Sequence, residues 1–139
     1  MRRVFVDTSA FYALVSSTDS HHDEAIAFAR DLDKRRVPVF TSNYCVAETH
    51  SLIVSRIGHH SARRWLEKLD VPVDFATEDD FEAAKRVVLR HRDQDYSFTD
   101  AVSMVVMRRT GVEEVFGFDR HFATAGFTLR GPEGGMRAH

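Results

Sequence analysis

Two carboxylates, Asp7 and Asp119, each follow a short apolar run, Val4-Phe5-Val6 in the first case and Glu114 to Phe118 in the second. That is the pattern of a buried strand that stops at an acid. Asp100 closes the segment Ser97-Phe98-Thr99-Asp100 ahead of a strongly apolar stretch. It repeats at helical spacing with Ser103, Met104 and Met107, so it heads a mostly buried stripe. Glu48 has Tyr44 one turn before it and Leu52 one turn after, on a partly apolar helix face. Taken singly, each acid has a structural role. Asp7 and Asp119 can cap helices by accepting from the backbone of Ala10 and Phe122, Asp100 fits the acidic arm of a capping box, and Glu48 can sit exposed at the rim of its stripe. Taken together they form a different object. Four ionised carboxylates that converge repel one another by several kcal/mol at short range, and a hard divalent cation with oxygen ligands relieves that repulsion. Magnesium or manganese held in this way orients a water and stabilises the charge that develops on a phosphodiester. Phosphodiester hydrolysis is the chemistry such a set would do.

The elements that must position these acids alternate between strand and helix. Strand one, Val4-Phe5-Val6, precedes Asp7-Thr8-Ser9, which opens a helix carrying Phe11, Leu14 and Val15; Ala25, Phe28, Ala29 and Leu32 mark the next helical face. Val37 to Thr41 reads as a second strand, with Ser42 or Asn43 capping a helix that contains Glu48 and closes at Gly58. Ala62, Trp65, Leu66 and Leu69 fit one more helix, and Val71 to Phe75 a short strand. Thr77 begins a helix with Glu78, Asp79 and Asp80 in its first turn and Arg90 and Arg92 at its end, as the macrodipole prefers. The stretch Thr99 to Arg109 is apolar almost all round and reads as the central helix, ended by Gly111; Phe127 to Arg130 adds an edge strand. This order predicts an α/β fold, a three-layer α/β/α arrangement around a short parallel sheet of four to five strands. In such sheets ligands bind beyond the carboxyl ends of the strands, where Asp7 and Asp119 fall. One domain is expected over residues 1–130. Residues 131–139, with three glycines and a proline, read as a flexible tail.

Composition narrows the function classes. A chain of 139 residues is one ordinary domain, and 43% apolar with 29% charged residues is the balance of a soluble globular protein. The formal charge of −2 means that nucleic-acid binding must come from local basic patches. Such patches exist at Lys34-Arg35-Arg36, Arg63-Arg64, Arg90-His91-Arg92 and Arg108-Arg109, three of them at helix C-termini, where compensation of the helix dipole suffices to explain them. The single Cys45 has no disulfide or zinc partner and fits a reducing cytoplasm. Only three apolar residues separate Met1-Arg2-Arg3 from Asp7, too few for a signal peptide, and no run approaches a membrane span. The pairs His21-His22 and His59-His60 lack the spacing of helical zinc motifs, and no phosphate-binding loop, dinucleotide fingerprint or nucleophile elbow occurs. Phosphatase chemistry on Asp7 is disfavoured because Ser9 stands where such enzymes usually carry a second Asp.

The acids sit in wider motifs. Val4-Phe5-Val6-Asp7-Thr8-Ser9-Ala10, Val46-Ala47-Glu48-Thr49, Ser97-Phe98-Thr99-Asp100-Ala101-Val102-Ser103 and Phe118-Asp119-Arg120-His121-Phe122 resemble, in this order and across roughly residues 1–129, the motifs of the PIN-domain ribonucleases, specifically the VapC toxins of type II toxin–antitoxin systems. The resemblance implies a PIN fold, divalent metal held by Asp7, Glu48, Asp100 and Asp119, endonucleolytic cleavage of RNA, and a homodimer neutralised by a cognate antitoxin. It does not select among tRNA, rRNA and mRNA. Alternatives with the same fold are a non-catalytic partner-binding module and a metal-dependent DNA nuclease. Gly117 departs from the pattern, since relatives often carry Thr or Ser there, and Asp93 and Asp95 are additional acids. Asp95 reads either as an auxiliary residue of the site or as a solvated loop acid. Thr8, Ser9 and Thr99 either reach the site through water or cap helices. Arg120, beside Asp119, is placed to neutralise phosphate. His121 is expected to pack beside Phe122, because metal-bound hydroxide leaves a general-base histidine unnecessary.

Overall fold

The strand β1 (Val4–Val6) is buried on both faces, which requires the β-branched and aromatic residues it has and puts it in the interior of a parallel sheet. In the computed structural model, which describes residues 2–131, β1 is the middle of five parallel strands in the order β3-β2-β1-β4-β5. On one side it pairs with β2 (Val39–Ser42), Val4 opposite Val39 and Phe5 opposite Phe40; on the other it pairs with β4 (Glu114–Phe116), Val6 opposite Phe116. The edges are β3 (Val73–Asp74) and β5 (Thr128–Arg130). The chain winds from β1 outward through β2 and β3, then returns to the far side of β1 as β4 and β5. The crevice between β1 and β4 is therefore the topological switch point.

Helices cover both faces. Val4, Val6 and Phe116 pack against α1 (Thr8–Val15) and α2 (His22–Lys34) through Ala10, Phe11, Ala25 and Leu32. Phe5, Phe40, Val115 and Leu129 pack against α6 (Phe98–Thr110), which buries Ala101, Val102, Met104, Val106 and Met107. The alternation of Val4 and Val6 with Phe5 between the two layers is the strand period of two. Three more helices, α3 (Asn43–Arg56), α4 (His59–Lys68) and α5 (Glu78–Arg90), and the single turn α7 (His121–Thr124) complete the structure of the described residues. Helix α6 is framed at both ends by its own sequence. Ser97 and Asp100 form a capping box at its start, and Gly111 takes the left-handed conformation at φ 72° after its last turn. No helix of the described residues is long and apolar enough to cross a membrane.

The three-layer parallel design holds, and the boundaries shift. The strand expected to run to Phe118 stops at Phe116, so Gly117 and Phe118 carry the chain to Asp119 in a turn. The strands expected at Val37, Val71 and Phe127 begin at Val39, Val73 and Thr128. Gly58 closes α3 as expected, following the cap residue Ile57 and donating its N–H back to the Ile53 carbonyl, and with φ 138° it also leads into α4. The expected tail lies outside the described residues apart from Gly131.

Candidate active site

Asp7 ends β1 and caps α1, but its side chain accepts from Ser9, at 3.1 Å from the backbone N–H and 2.7 Å from the hydroxyl, while Ala10 and Phe11 donate to the Asp7 carbonyl. The Ser9 hydroxyl in turn accepts from the backbone N–H of Phe118 at 2.9 Å. One short side chain thus ties the end of the central strand to the turn after β4. Gly117 makes this possible: a Cβ there would stand 2.9 Å from Ser9 Oγ and 3.1 Å from Asp7 Cβ. The seat that a hydroxyl-bearing side chain at 117 would take is filled by Ser9.

Asp7 is 3% exposed. Burial pushes its pKa up to about 7, against the hydrogen bonds from Ser9, and the charges of Asp100 and Asp119 push in the same direction as burial. Behind it stands the buried Cys45 thiol, with Sγ 4.0 Å from Asp7 Oδ1 and 3.4 Å from Ser103 Oγ. Burial and the Asp7 charge raise this thiol to about 11, which keeps it a neutral wall. Thr8, also buried, places its hydroxyl beside the same thiol.

Asp100 is the third residue of α6. Its Oδ2 accepts from the Ser97 N–H at 3.1 Å, and burial followed by the Asp119 charge raises its pKa. The capping role and a site role therefore coexist in one carboxyl group. Asp119 accepts from the His121 N–H at 2.9 Å, not from Phe122, whose N–H reaches the Asp119 carbonyl at 3.4 Å. This short loop back to residue i+2 swings the His121 ring over the acids. Its Nδ1 lies 3.3 Å from Asp119 Oδ1 and 3.4 Å from Asp100 Oδ2. Among the described residues, Asp100, Asp119 and His121 are the group whose ligand atoms all fall within 4.8 Å of one another.

Of the four acids named from the sequence, Asp7, Asp100 and Asp119 come together at the switch point. Glu48 is half-buried on α3 and, like Asp7, is not one of the tight group. Asp93 and Asp95 are exposed in the loop between α5 and α6, Thr99 is half-buried in the first turn of α6, and Arg120 is exposed next to Asp119. His121, expected merely to pack beside Phe122, is the functional candidate that sequence reasoning passed over. Its position two residues after an acid at a helix start was the available signal. The arrangement is a pocket of hard oxygen donors with one imidazole, in which neighbouring charge raises the proton affinity of Asp7 and Asp100. A divalent cation fits this donor set because it replaces protons that the acids would otherwise have to take up.

The PIN-domain family model matches residues 4–128 of the chain. The chain belongs to the PIN-domain family. This PIN domain is 37% identical over 134 residues to the 23S rRNA-specific endonuclease VapC20 of Mycobacterium tuberculosis (strain ATCC 25618 / H37Rv), a match covering 94% of this chain and 99% of the relative. The crystal structure of VapC20, described as a sarcin–ricin loop cleaving toxin, superposes with a TM-score of 0.79 at 36% identity, over 89% of this chain and 95% of that one. VapBC2 from Rickettsia felis, bound to a DNA fragment from its promoter, shares the fold at a TM-score of 0.65 and 9% identity, over 85% of this chain and 88% of the other. This PIN domain is thus VapC-like in sequence and in fold.

Proposed function

We propose that the protein is a magnesium-dependent endoribonuclease and the toxin of a type II toxin–antitoxin pair. The observation that carries this reading is the meeting of Asp7, Asp100 and Asp119 at the carboxyl ends of the central strands, where the charges of Asp100 and Asp119 raise the proton affinity of Asp7 and that of Asp119 raises the proton affinity of Asp100. The likeness to an rRNA-specific endonuclease at 37% identity supports the substrate class. Asp7, Asp100 and Asp119 hold the ion, with Glu48 as the fourth acid. A bound divalent ion, Mg²⁺ or in its place Mn²⁺, supplies a more acidic water and neutralises charge on the phosphodiester. The chain's own groups position: Ser9 and Cys45 fix the Asp7 carboxyl, Ser97 fixes Asp100, and His121 spans Asp100 and Asp119. Thr8 and Asp95 are auxiliary, and Arg120 meets substrate phosphate. The protein works in the cytoplasm as a homodimer until a cognate antitoxin covers it.

The test is sequencing of RNA 5′ ends after brief expression, with Asp7→Asn as control. New ends at a discrete site, first sought in 23S rRNA, are expected with the wild type and absent from the variant. The same ends at equal abundance in both would defeat the proposal.

A further inference from the structure

The surface between α5 and α6 carries an arginine-lined groove that the catalytic reading does not use. Between α5 and α6 lies a cavity of about 510 Å³ lined by Arg86, Arg90, His91, Arg108 and Arg109 over a floor of Ala83, Val87 and Val105, with no acidic residue in its wall. It adjoins a second cavity of about 250 Å³ through the shared residues Val87, His91 and Arg108, and this second one reaches Tyr96 past a single acid, Asp93. From there rings lead to the acids: His91 lies 6.0 Å from Tyr96, and the edge of Tyr96 meets His121 at 5.4 Å between centroids.

The charge in this groove is not spent internally. Among the described residues Arg86 and Arg90 form no ion pair, and Arg108 donates to the Ala125 carbonyl and lies over the Phe127 ring, with no carboxylate partner. Arg109 alone is neutralised, by Asp74 and Asp80. A second cationic cavity, about 480 Å³ at the amino ends of the strands, differs in this respect, since Glu114 there pairs with both Arg2 and Arg130. Dipole compensation explains Arg90, in the last turn of α5, but not Arg86, which stands a turn earlier where that field has faded. In a chain of net charge −2 an acid-free arginine groove is the local basic patch that nucleic-acid binding requires.

We infer that this groove seats the phosphates of the RNA strand flanking the cleaved bond, with Arg86, Arg90 and Arg108 meeting phosphates and Tyr96 stacking on a base between the groove and the acids. Guanidinium forks match phosphate oxygens, and unstacked bases of looped RNA stack on aromatic rings. The inference rests on the ribonuclease reading, and the groove selects RNA by the phosphate track and loop shape.

The test compares Arg86→Glu/Arg90→Glu with Arg63→Glu/Arg64→Glu, an equal charge change on the exposed face of α4. Binding of a stem-loop RNA, kept uncut by excess chelator, is followed by fluorescence anisotropy across salt concentrations. The groove pair should bind at least about tenfold more weakly, and its slope of log affinity against log salt should fall by about 1.4, two contacts at 0.7 each. The α4 pair should track the wild type. If the Glu pair melts early, Arg86→Gln/Arg90→Gln should show the same loss of slope. Equal loss in both pairs, no loss in the groove pair, or loss only of binding to a poly-glutamate peptide overturns the groove. Wild-type protein that binds this RNA through the groove but leaves it uncut once magnesium is restored overturns the ribonuclease reading instead.

Discussion

Asp7 is held by its neighbours in a place where its charge is expensive. With a pKa of about 7 in the fold against about 3.9 in the unfolded chain, the folded state is the one that keeps the proton. Stability from this group is full below about pH 4, declines as the unfolded chain ionises, and is lost by about pH 7, a drop on the order of 4 kcal/mol in chelated protein. Thermal melts in excess chelator should therefore show a higher melting temperature at about pH 5 than at about pH 7.5. Asp7→Asn should flatten that difference and melt above the wild type at the higher pH; an Asn variant that melts lower there would contradict the assignment. Gly117 gives a second test at this scale. Gly117→Ala forces a methyl against Ser9 Oγ and should cost about 1–3 kcal/mol. Adding Ser9→Ala should recover part of the loss, and a double-mutant cycle with no coupling would refute the packing argument. Residues were legible in the sequence where one local rule placed them. Asp7, Asp100 and Asp119 stand at caps and strand ends that motifs reveal. The meeting of His121 with Asp100 was not legible, because it depends on two segments 21 residues apart closing on each other.

The elements that hold the acids are short, and their ends are fixed by tertiary ties more than by propensity. Helices were legible from their periodicity and caps, down to the box at Ser97 and the left-handed Gly111. Strands of two to four residues leave too little pattern to fix a boundary, which is why β4 stops two residues early and β3 shrinks to Val73–Asp74. One tie is Arg109, at the end of α6, which bonds Asp80 at 3.0 Å and Asp74 at 2.8 Å and so joins α6 to α5 and β3. Burial works against the Asp80 charge, and Arg109 with Thr77 overcomes it to bring the pKa below the usual carboxylate range. Arg109→Ala leaves a buried acid without its cation and should cost about 1–3 kcal/mol, a melting-temperature fall of roughly 2–4 °C per kcal/mol. The loss should be largest at neutral pH and shrink as pH falls and Asp80 takes a proton. A loss that grew on acidification would contradict the pairing.

At the scale of the whole molecule, the chain's reversal on either side of β1 converts three separated segments into one crevice. Asp7 leaves the central strand, Asp119 follows the turn after its neighbour, and α6 delivers Asp100 from above the sheet. The parallel three-layer plan was legible from the order of the elements, and the family likeness fixes it. What the order of elements did not disclose is that the tightest group is made by Asp100 and Asp119 with His121, a residue from outside the four acids. The most direct measurement is the rate of cleavage of a 23S rRNA stem-loop by purified wild type and Asp100→Asn, each with millimolar magnesium and with excess chelator, alongside a DNA of the same sequence. The wild type should cut the RNA only with metal and leave the DNA intact, while the folded variant should be slower by at least about a thousandfold. An Asp100→Asn protein that cuts RNA as fast as the wild type would contradict the proposed function.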